Sequence, residues 1–197
     1  HRAIMDSSFT GLQQSEATIA RNFGKVDGSV PIEHLGPPVD WAPERAKLPP
    51  TIEDGVLGVL ERGSEGMDFG TTIVALGRRL DVTVTVNEQG SWVTGLRRGA
   101  SVVARLREYA AKAKDHAEKE LLNLENEDWL GDIEEPLSSA EFQEHMNLSG
   151  LTFHDDGSVV FVFDDGESER RQGLFCGHAI VVHMGKDDQF TAAELFG

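Results

Sequence analysis

The chain has 197 residues, enough to bury a hydrophobic core in one domain, alone or with an appended arm. Its 34 aspartates and glutamates outnumber its 18 lysines and arginines, and the formal net charge is −16. Such a surface repels nucleic-acid phosphates and anionic lipid headgroups, and the basic residues cluster no further than pairs such as Arg97-Arg98. We therefore expect neither a nucleic acid nor a membrane as a partner.

Cysteine usage and hydropathy predict a cytoplasmic protein. Cys176 is the single cysteine, so the chain cannot form an intramolecular disulfide. No stretch approaches the roughly 20 apolar residues of a membrane-spanning helix, and the N-terminus lacks a basic region followed by an apolar run. The chain starts at His1 instead of methionine, which is typical of a tag remnant or a truncation.

Residues 1–50 are predicted to form an arm or linker. This segment holds six of the 7 prolines, which remove backbone donors and interrupt regular structure. Ser15–Phe23 is its one candidate helix. Trp41 is expected to anchor the arm on the folded domain, with ligand binding as the alternative.

Three strands are predicted after the arm, at Val56–Leu60, Thr71–Leu76 and Leu80–Val86. The third alternates strictly between apolar and polar residues, as a half-buried strand requires. The break at Gly77-Arg78-Arg79 joins the second and third strands as a hairpin. We predict a three-stranded meander.

Two helices are predicted next. Apolar residues at steps of three and four indicate a long helix that begins near Ser91 or Ser101 and ends near Glu125. A short helix follows, capped by Ser138 or Ser139, with Glu141 in its first turn.

The last third of the chain is predicted to form a four-stranded meander with turns at two Asp-Asp-Gly sequences. The strands are Leu148–His154, Val159–Phe163, Leu174–Met184 and Phe190–Phe196. Because strands and helices do not alternate, we predict a single α+β domain over residues 51–197, with an antiparallel sheet and helices packed on one face.

The acidic residues are concentrated in one segment. From Glu120 to Glu169 there are 15 acidic residues and no lysine or arginine, whereas the other 19 acidic residues are balanced by all 18 basic ones. If these carboxylates cluster in space they steer cationic partners; the alternative is that they are solvated groups that keep the protein soluble. The candidate binding residues are Glu125, Glu127, Asp128, Asp132, Glu134, Glu135, Asp164 and Asp165.

The predicted strands do not bring histidine or cysteine side chains together in a catalytic or metal-binding geometry. His178 and His183 are five positions apart on one predicted strand, so they face opposite sides and cannot share an ion. Cys176 and His178 share a face, but side chains two positions apart stand roughly 6–7 Å from each other, whereas proton transfer needs about 3 Å. Gly55-x-x-Gly58 and Gly63-x-x-Gly66 lack the basic residue and the following helix that a phosphate loop needs. We predict no catalytic residue, no metal and no cofactor.

Several short motifs resemble, in their order, a bacterial family of unknown function. They are Leu57-Gly58, Asn123-x5-Trp129, Leu137-Ser138 with Glu141-Phe142, Phe175-x-Gly177-His178 and Ala193-x-Leu195-x-Gly197. From about Ile52 to Gly197 the chain is similar to the domain-of-unknown-function family numbered 2262, which has no assigned activity, cofactor or catalytic residue. The resemblance implies a boundary near residue 51. We interpret five motif residues as structural: Trp129, Phe142, Phe175, Gly177 and His178.

The charge distribution and the poor geometry of the candidate catalytic pairs predict a non-enzymatic interaction module. In this hypothesis an acidic surface binds a basic protein partner, in the manner of a cytoplasmic immunity or inhibitor protein. The alternative is a small hydrolase or a ligand-binding domain with a pocket near His178.

Overall fold

A computed structural model describes residues 47–64, 67–129, 135–165 and 174–197. The candidate helix Ser15–Phe23 and Trp41 lie outside these residues. Within the described ranges the chain forms eight β-strands and three α-helices. None of these helices combines the length and the apolar character that crossing a membrane requires.

One sheet contains all eight described strands in chain order. The strands are β1 (Thr51–Asp54), β2 (Gly58–Arg62), β3 (Asp68–Ala75), β4 (Arg78–Thr85), β5 (Met146–Phe153), β6 (Val159–Asp165), β7 (Ala179–Met184) and β8 (Phe190–Phe196). Neighbouring strands are antiparallel except β4 and β5, which pair in parallel. The fold is therefore α+β, as predicted, and its sheet is open and mostly antiparallel. The parallel pair of β4 and β5 departs from the predicted antiparallel sheet.

The helices all lie in the connection between β4 and β5. They are α1 (Val93–Val103), α2 (Leu106–Leu124) and α3 (Ser139–His145). A parallel pair cannot be joined by a tight turn and needs a crossover connection, which this helical segment supplies. Two four-stranded meanders are thus joined through one parallel pair.

The first predicted strand is wrong in its start, because residues 55–57 form a turn and β2 begins only at Gly58. The Asp54 carboxylate accepts hydrogen bonds from the backbone N–H groups of Val56 at 2.7 Å and Leu57 at 2.9 Å. An aspartate that bonds to the backbone two and three residues ahead stabilises a turn. The first meander consequently has four strands, not three.

The predicted long helix is two helices with a break at Ala104 and Arg105. The N–H of Arg105 bonds to the carbonyl of Val102, and the N–H of Glu108 bonds to that of Arg105, both three residues back and at 3.0 Å. Such bonds tighten the backbone into a 3₁₀-type turn. Buried apolar residues recur on both sides of the break. The spacing therefore continues across it, which explains why the pattern predicts a single helix.

The third strand of the second meander begins later than predicted. Phe175–Gly177 form a single 3₁₀ turn, and β7 begins at Ala179. Phe175 has φ 48° and Gly177 has φ 88°, and neither value is compatible with a β-strand. This turn belongs to the motif that Phe175, Gly177 and His178 form.

The hydrophobic core lies against one face of β4, β5 and β6. Leu80, Val82 and Val84 of β4 are at most 1% exposed, and the register places Val84 beside Phe153 of β5. Helix α1 approaches this layer closely, since a Cβ atom on Gly95 would stand 2.9 Å from the carbonyl oxygen of Phe153. Only glycine allows this approach without a shift of the backbone.

Candidate functional site

Several segments that are distant in the chain meet at one end of the sheet. Strand β5 begins where β6 ends, because Met146 pairs with Asp165, and β7 begins there too, because Ile180 pairs with Phe163. The π-helical turn Glu125–Trp129 follows α2 and reaches the same place. We call this region the motif end: residues 78–79 at the start of β4, residues 125–129, the strand ends at 146–147 and 164, and residues 175–178.

Aromatic contacts hold the motif end together. The Trp129 ring lies edge-on to Phe175, with centroids 5.6 Å apart, and to His178, at 5.5 Å. Phe142 of α3 packs edge-on against Phe175 from another direction, at 6.2 Å. Phe175 is 1% exposed. Its positive φ is unfavourable for a bulky residue, by about 1–2 kcal/mol, and burial of the ring among aromatic side chains offsets this strain.

Glu125 lies inside the protein, with 1% of its surface exposed. Its Oε2 accepts a hydrogen bond from the backbone N–H of Phe175 at 3.4 Å, so it links the end of α2 to the turn before β7. A buried carboxylate requires such donors. The prediction that Glu125 belongs to an acidic surface is therefore wrong, because its carboxylate is turned inward by the π-helical turn.

His178 is half-buried and directly precedes β7. Its Nδ1 lies 2.8 Å from the carbonyl oxygen of Phe175. Because a carbonyl oxygen only accepts, Nδ1 carries the proton, and Nε2 of the neutral ring holds the lone pair. A ring held in this way presents a base at Nε2, which suits either ligand binding or proton transfer.

Asn126 is a residue at the motif end that the sequence analysis missed. Its side-chain amide donates to the carbonyl of Leu137 at 2.9 Å and accepts from the N–H of the same residue at 2.7 Å. Ser138, which follows Leu137, caps α3 in a capping box with Glu141. The sequence predicts a cap at Ser138 or Ser139, and the structure selects Ser138. No local pattern marks Asn126, since its partner is 11 positions away in the chain.

Four of the predicted acidic residues are exposed: Glu127, Asp128, Glu135 and Asp164. In the described part of the chain, the lysine and arginine side chains that form ion pairs do so with Glu108 and Asp188 and not with these four residues. The four carboxylates thus have no described cationic partner. Asp132, Glu134 and the side chain of Asp165 lie outside the described residues.

The acidic segment is not gathered completely in space. Asp155 and Asp156 lie in the turn between β5 and β6, at the opposite end of these strands from Asp164. Arg78, by contrast, lies at the motif end, because β4 is parallel to β5 and begins beside it. Burial lowers the pKa of Lys114, and the nearby Arg78 lowers it further. The motif end therefore carries arginine as well as carboxylate groups.

A second polar cluster anchors the turn between β7 and β8 to the helices. The guanidinium of Arg98 pairs with one carboxylate oxygen of Asp188, and the hydroxyl of Tyr109 donates to the other at 2.8 Å. The hydrogen bond from Arg98 is the main cause that lowers the pKa of Asp188, and burial raises that of Tyr109. Since both oxygens of Asp188 bond within the chain, we interpret this cluster as structural.

Cys176, His178 and His183 do not lie on one strand, as the sequence predicts they would. His178 and Cys176 precede β7 instead of lying in it, so the predicted strand geometry does not apply to them. His183 does lie in β7, with Nε2 2.8 Å from a carboxylate oxygen of Glu194 in β8. Among the described residues no three His, Cys, Asp or Glu side chains are placed to hold a metal ion. The side chain of Cys176 lies outside them.

The fold and the motif end define an α+β domain in which three of the short sequence motifs contact one another directly, through Trp129, Phe142 and the pair Phe175 and His178. The model of a family described as "Uncharacterized protein conserved in bacteria (DUF2262)" matches residues 54–195. The chain belongs to this family, as the order of the motifs predicts. No curated protein matches the chain. No solved structure matches it either.

Proposed function

We propose that the protein is a non-enzymatic interaction module, of the immunity or inhibitor type, that binds a basic protein through the carboxylates at the motif end. The observation that carries this proposal is the exposure of Glu127, Asp128 and Asp164 without a described cationic partner. Unpaired exposed carboxylates attract cationic groups and accelerate association.

The backbone beneath two of these carboxylates is held rigidly. Glu127 and Asp128 lie between Asn126, which is bonded twice to Leu137, and Trp129, which packs on two rings. A segment that is already ordered loses little conformational freedom on binding. This supports the π-helical turn as the centre of the docking surface.

Charge reversal tests the proposal. The full chain is used to capture basic proteins from a bacterial lysate, and the affinity of each captured protein is then measured with purified components at several salt concentrations. We expect Glu127→Lys/Asp128→Lys to weaken binding by about tenfold or more, which corresponds to about 1.4 kcal/mol. Salt is expected to weaken the wild-type complex, since it screens exposed charges.

The matched control is Glu88→Lys/Asp155→Lys. These residues lie at the opposite end of β4 and β5, and the variant changes the net charge by the same amount. It should bind like the wild type. An affinity that does not change with salt concentration, or that both variants lower equally, contradicts a docking surface at the motif end.

His178 supports a second candidate, a small hydrolase or a ligand-binding domain. The observation that favours it is the hydrogen bond from Nδ1 to Phe175, which leaves the Nε2 lone pair available. The variant His178→Gln distinguishes the two candidates. If the protein is an interaction module, this variant should bind the basic protein with unchanged affinity. If it is a hydrolase or a ligand-binding domain, the variant should lose the turnover of ester or glycoside substrates, or the thermal stabilisation by them, that the wild type shows.

A further inference from the structure

The tip of the β3–β4 hairpin exposes apolar side chains. Val74 is 80% exposed and Leu76 is 40% exposed. The pairing of Ala75 with Arg78 leaves two residues in the turn, and both have positive φ: 53° at Leu76 and 80° at Gly77. Two consecutive positive φ angles form a type I′ turn, which favours asparagine followed by glycine. Leucine therefore occupies a strained position where a polar residue is preferred.

Within the described part of the chain, no hydrogen bond, ion pair or ring contact of Leu76 offsets its strain. Among the described residues, the other non-glycine positions with positive φ are Phe175 and Asp188. Phe175 is buried among aromatic rings, and Asp188 is bonded to Arg98 and Tyr109. Leu76 has no comparable compensation. From this strain and from the adjoining exposed Val74 we take as a hypothesis that the side chain is used in binding.

The hairpin tip is also basic. Arg78 and Arg79 follow the turn, both are exposed, and neither forms an ion pair within the described residues. They lie at the motif end, where Glu127 and Asp164 likewise form no ion pair with a described residue. One molecule therefore carries both complementary charges at one end of its sheet without joining them.

We propose that the hairpin tip, residues 74–79, docks on the carboxylates of Glu127, Asp128 and Asp164 in a second copy of this chain, with Leu76 as the apolar anchor. Because the tip and the carboxylates lie at the same end, one two-fold axis allows each copy to contribute both surfaces. A membrane surface is a poor alternative, since the net charge of −16 opposes anionic headgroups. A basic partner at the motif end would compete with this dimer.

Sedimentation velocity of the full chain at increasing protein concentration tests the proposal. We expect a monomer–dimer equilibrium that added salt shifts toward monomer. Leu76→Asn suits the left-handed backbone and removes the apolar anchor. This variant should melt at a higher temperature than the wild type, yet its dimer dissociation constant should rise tenfold or more. Loss of the dimer in a more stable protein excludes misfolding as the cause.

Two controls and one charge exchange locate the contact. Val93→Thr and Arg97→Glu alter exposed residues of α1 away from the hairpin tip and should leave the dimer intact. Arg78→Glu/Arg79→Glu should abolish it, and combination with Glu127→Lys/Asp128→Lys should restore it. The proposal is overturned if the wild type stays monomeric or if Leu76→Asn dimerises like the wild type. It is also overturned if the variant that combines all four charge reversals stays monomeric. Each measurement uses this chain alone, so its outcome is independent of any basic partner.

Discussion

Two glutamates in the same π-helical turn have opposite environments. Glu125 is 1% exposed and accepts a hydrogen bond from Phe175, whereas Glu127 is exposed. The turn begins directly at the end of α2, and its wider i→i+5 hydrogen bonding changes the direction of successive side chains. At the residue scale, position within the turn therefore decides whether a carboxylate stabilises the fold or faces solvent.

The substitution Glu125→Ala tests this assignment. It leaves the buried N–H of Phe175 without its acceptor, so we expect the free energy of unfolding to fall by about 1–3 kcal/mol. Glu127→Ala, an exposed change two positions away, should alter it by less than about 0.5 kcal/mol. Urea denaturation followed by circular dichroism measures both values. Equal stability of the two variants would show that the hydrogen bond to Phe175 contributes nothing.

The turn of the β7–β8 hairpin is bonded to the helices, and neither strand contributes these bonds. Its turn contains Asp188 in the left-handed conformation, with φ 64°, and the helices hold this residue through Arg98 and Tyr109. The strand pattern predicts the hairpin, but it does not predict the arginine 90 positions away that pairs with its turn. At the scale of elements, local alternation specifies strands, while long-range ion pairs and hydrogen bonds specify where their turns attach.

The stability contributed by Asp188 should depend on pH. The hydrogen bond from Arg98, the largest cause, lowers the pKa of its carboxyl group. Such a group stabilises the fold above its unfolded pKa of about 3.9, and this stability is lost as the pH falls through the folded pKa. Because the side chain is 43% exposed, solvent screening limits the contribution to about 1 kcal/mol or less.

Asp188→Asn removes the charge and retains a residue that tolerates positive φ. From neutral pH to about pH 3 the wild type should therefore lose more stability than the variant, by up to about 1 kcal/mol. Urea midpoints measured across this pH range provide the comparison. Parallel profiles for the two proteins would mean that the pairing with Arg98 does not stabilise the fold.

At the scale of the whole molecule, the net charge of −16 opposes folding through repulsion among like charges. Salt screens this repulsion, and the Debye length falls from about 30 Å at 0.01 M to about 8 Å at 0.15 M. The exposed ion pairs of Glu108 with Arg105 and Lys112 weaken at the same time, but such pairs contribute only about 0–1 kcal/mol each.

Added sodium chloride should consequently raise the midpoint of thermal unfolding over this range of ionic strength. The variant Glu88→Lys/Asp155→Lys, which carries less net charge, should show a smaller rise. Differential scanning calorimetry measures both midpoints. A wild-type midpoint that falls with salt would show that favourable ion pairs outweigh the repulsion.

The sequence by itself determined the family, the α+β class and the position of several elements, including the start of α3 at Ser138 or Ser139. These depend on neighbouring residues and on the order of short motifs, which the chain displays directly. Only the tertiary structure decided that β4 pairs in parallel with β5, that Glu125 is buried, and that Asp155 lies at the opposite end of the sheet from Asp164. The physical reason is that register and burial depend on contacts between residues far apart in the chain, which local spacing does not specify.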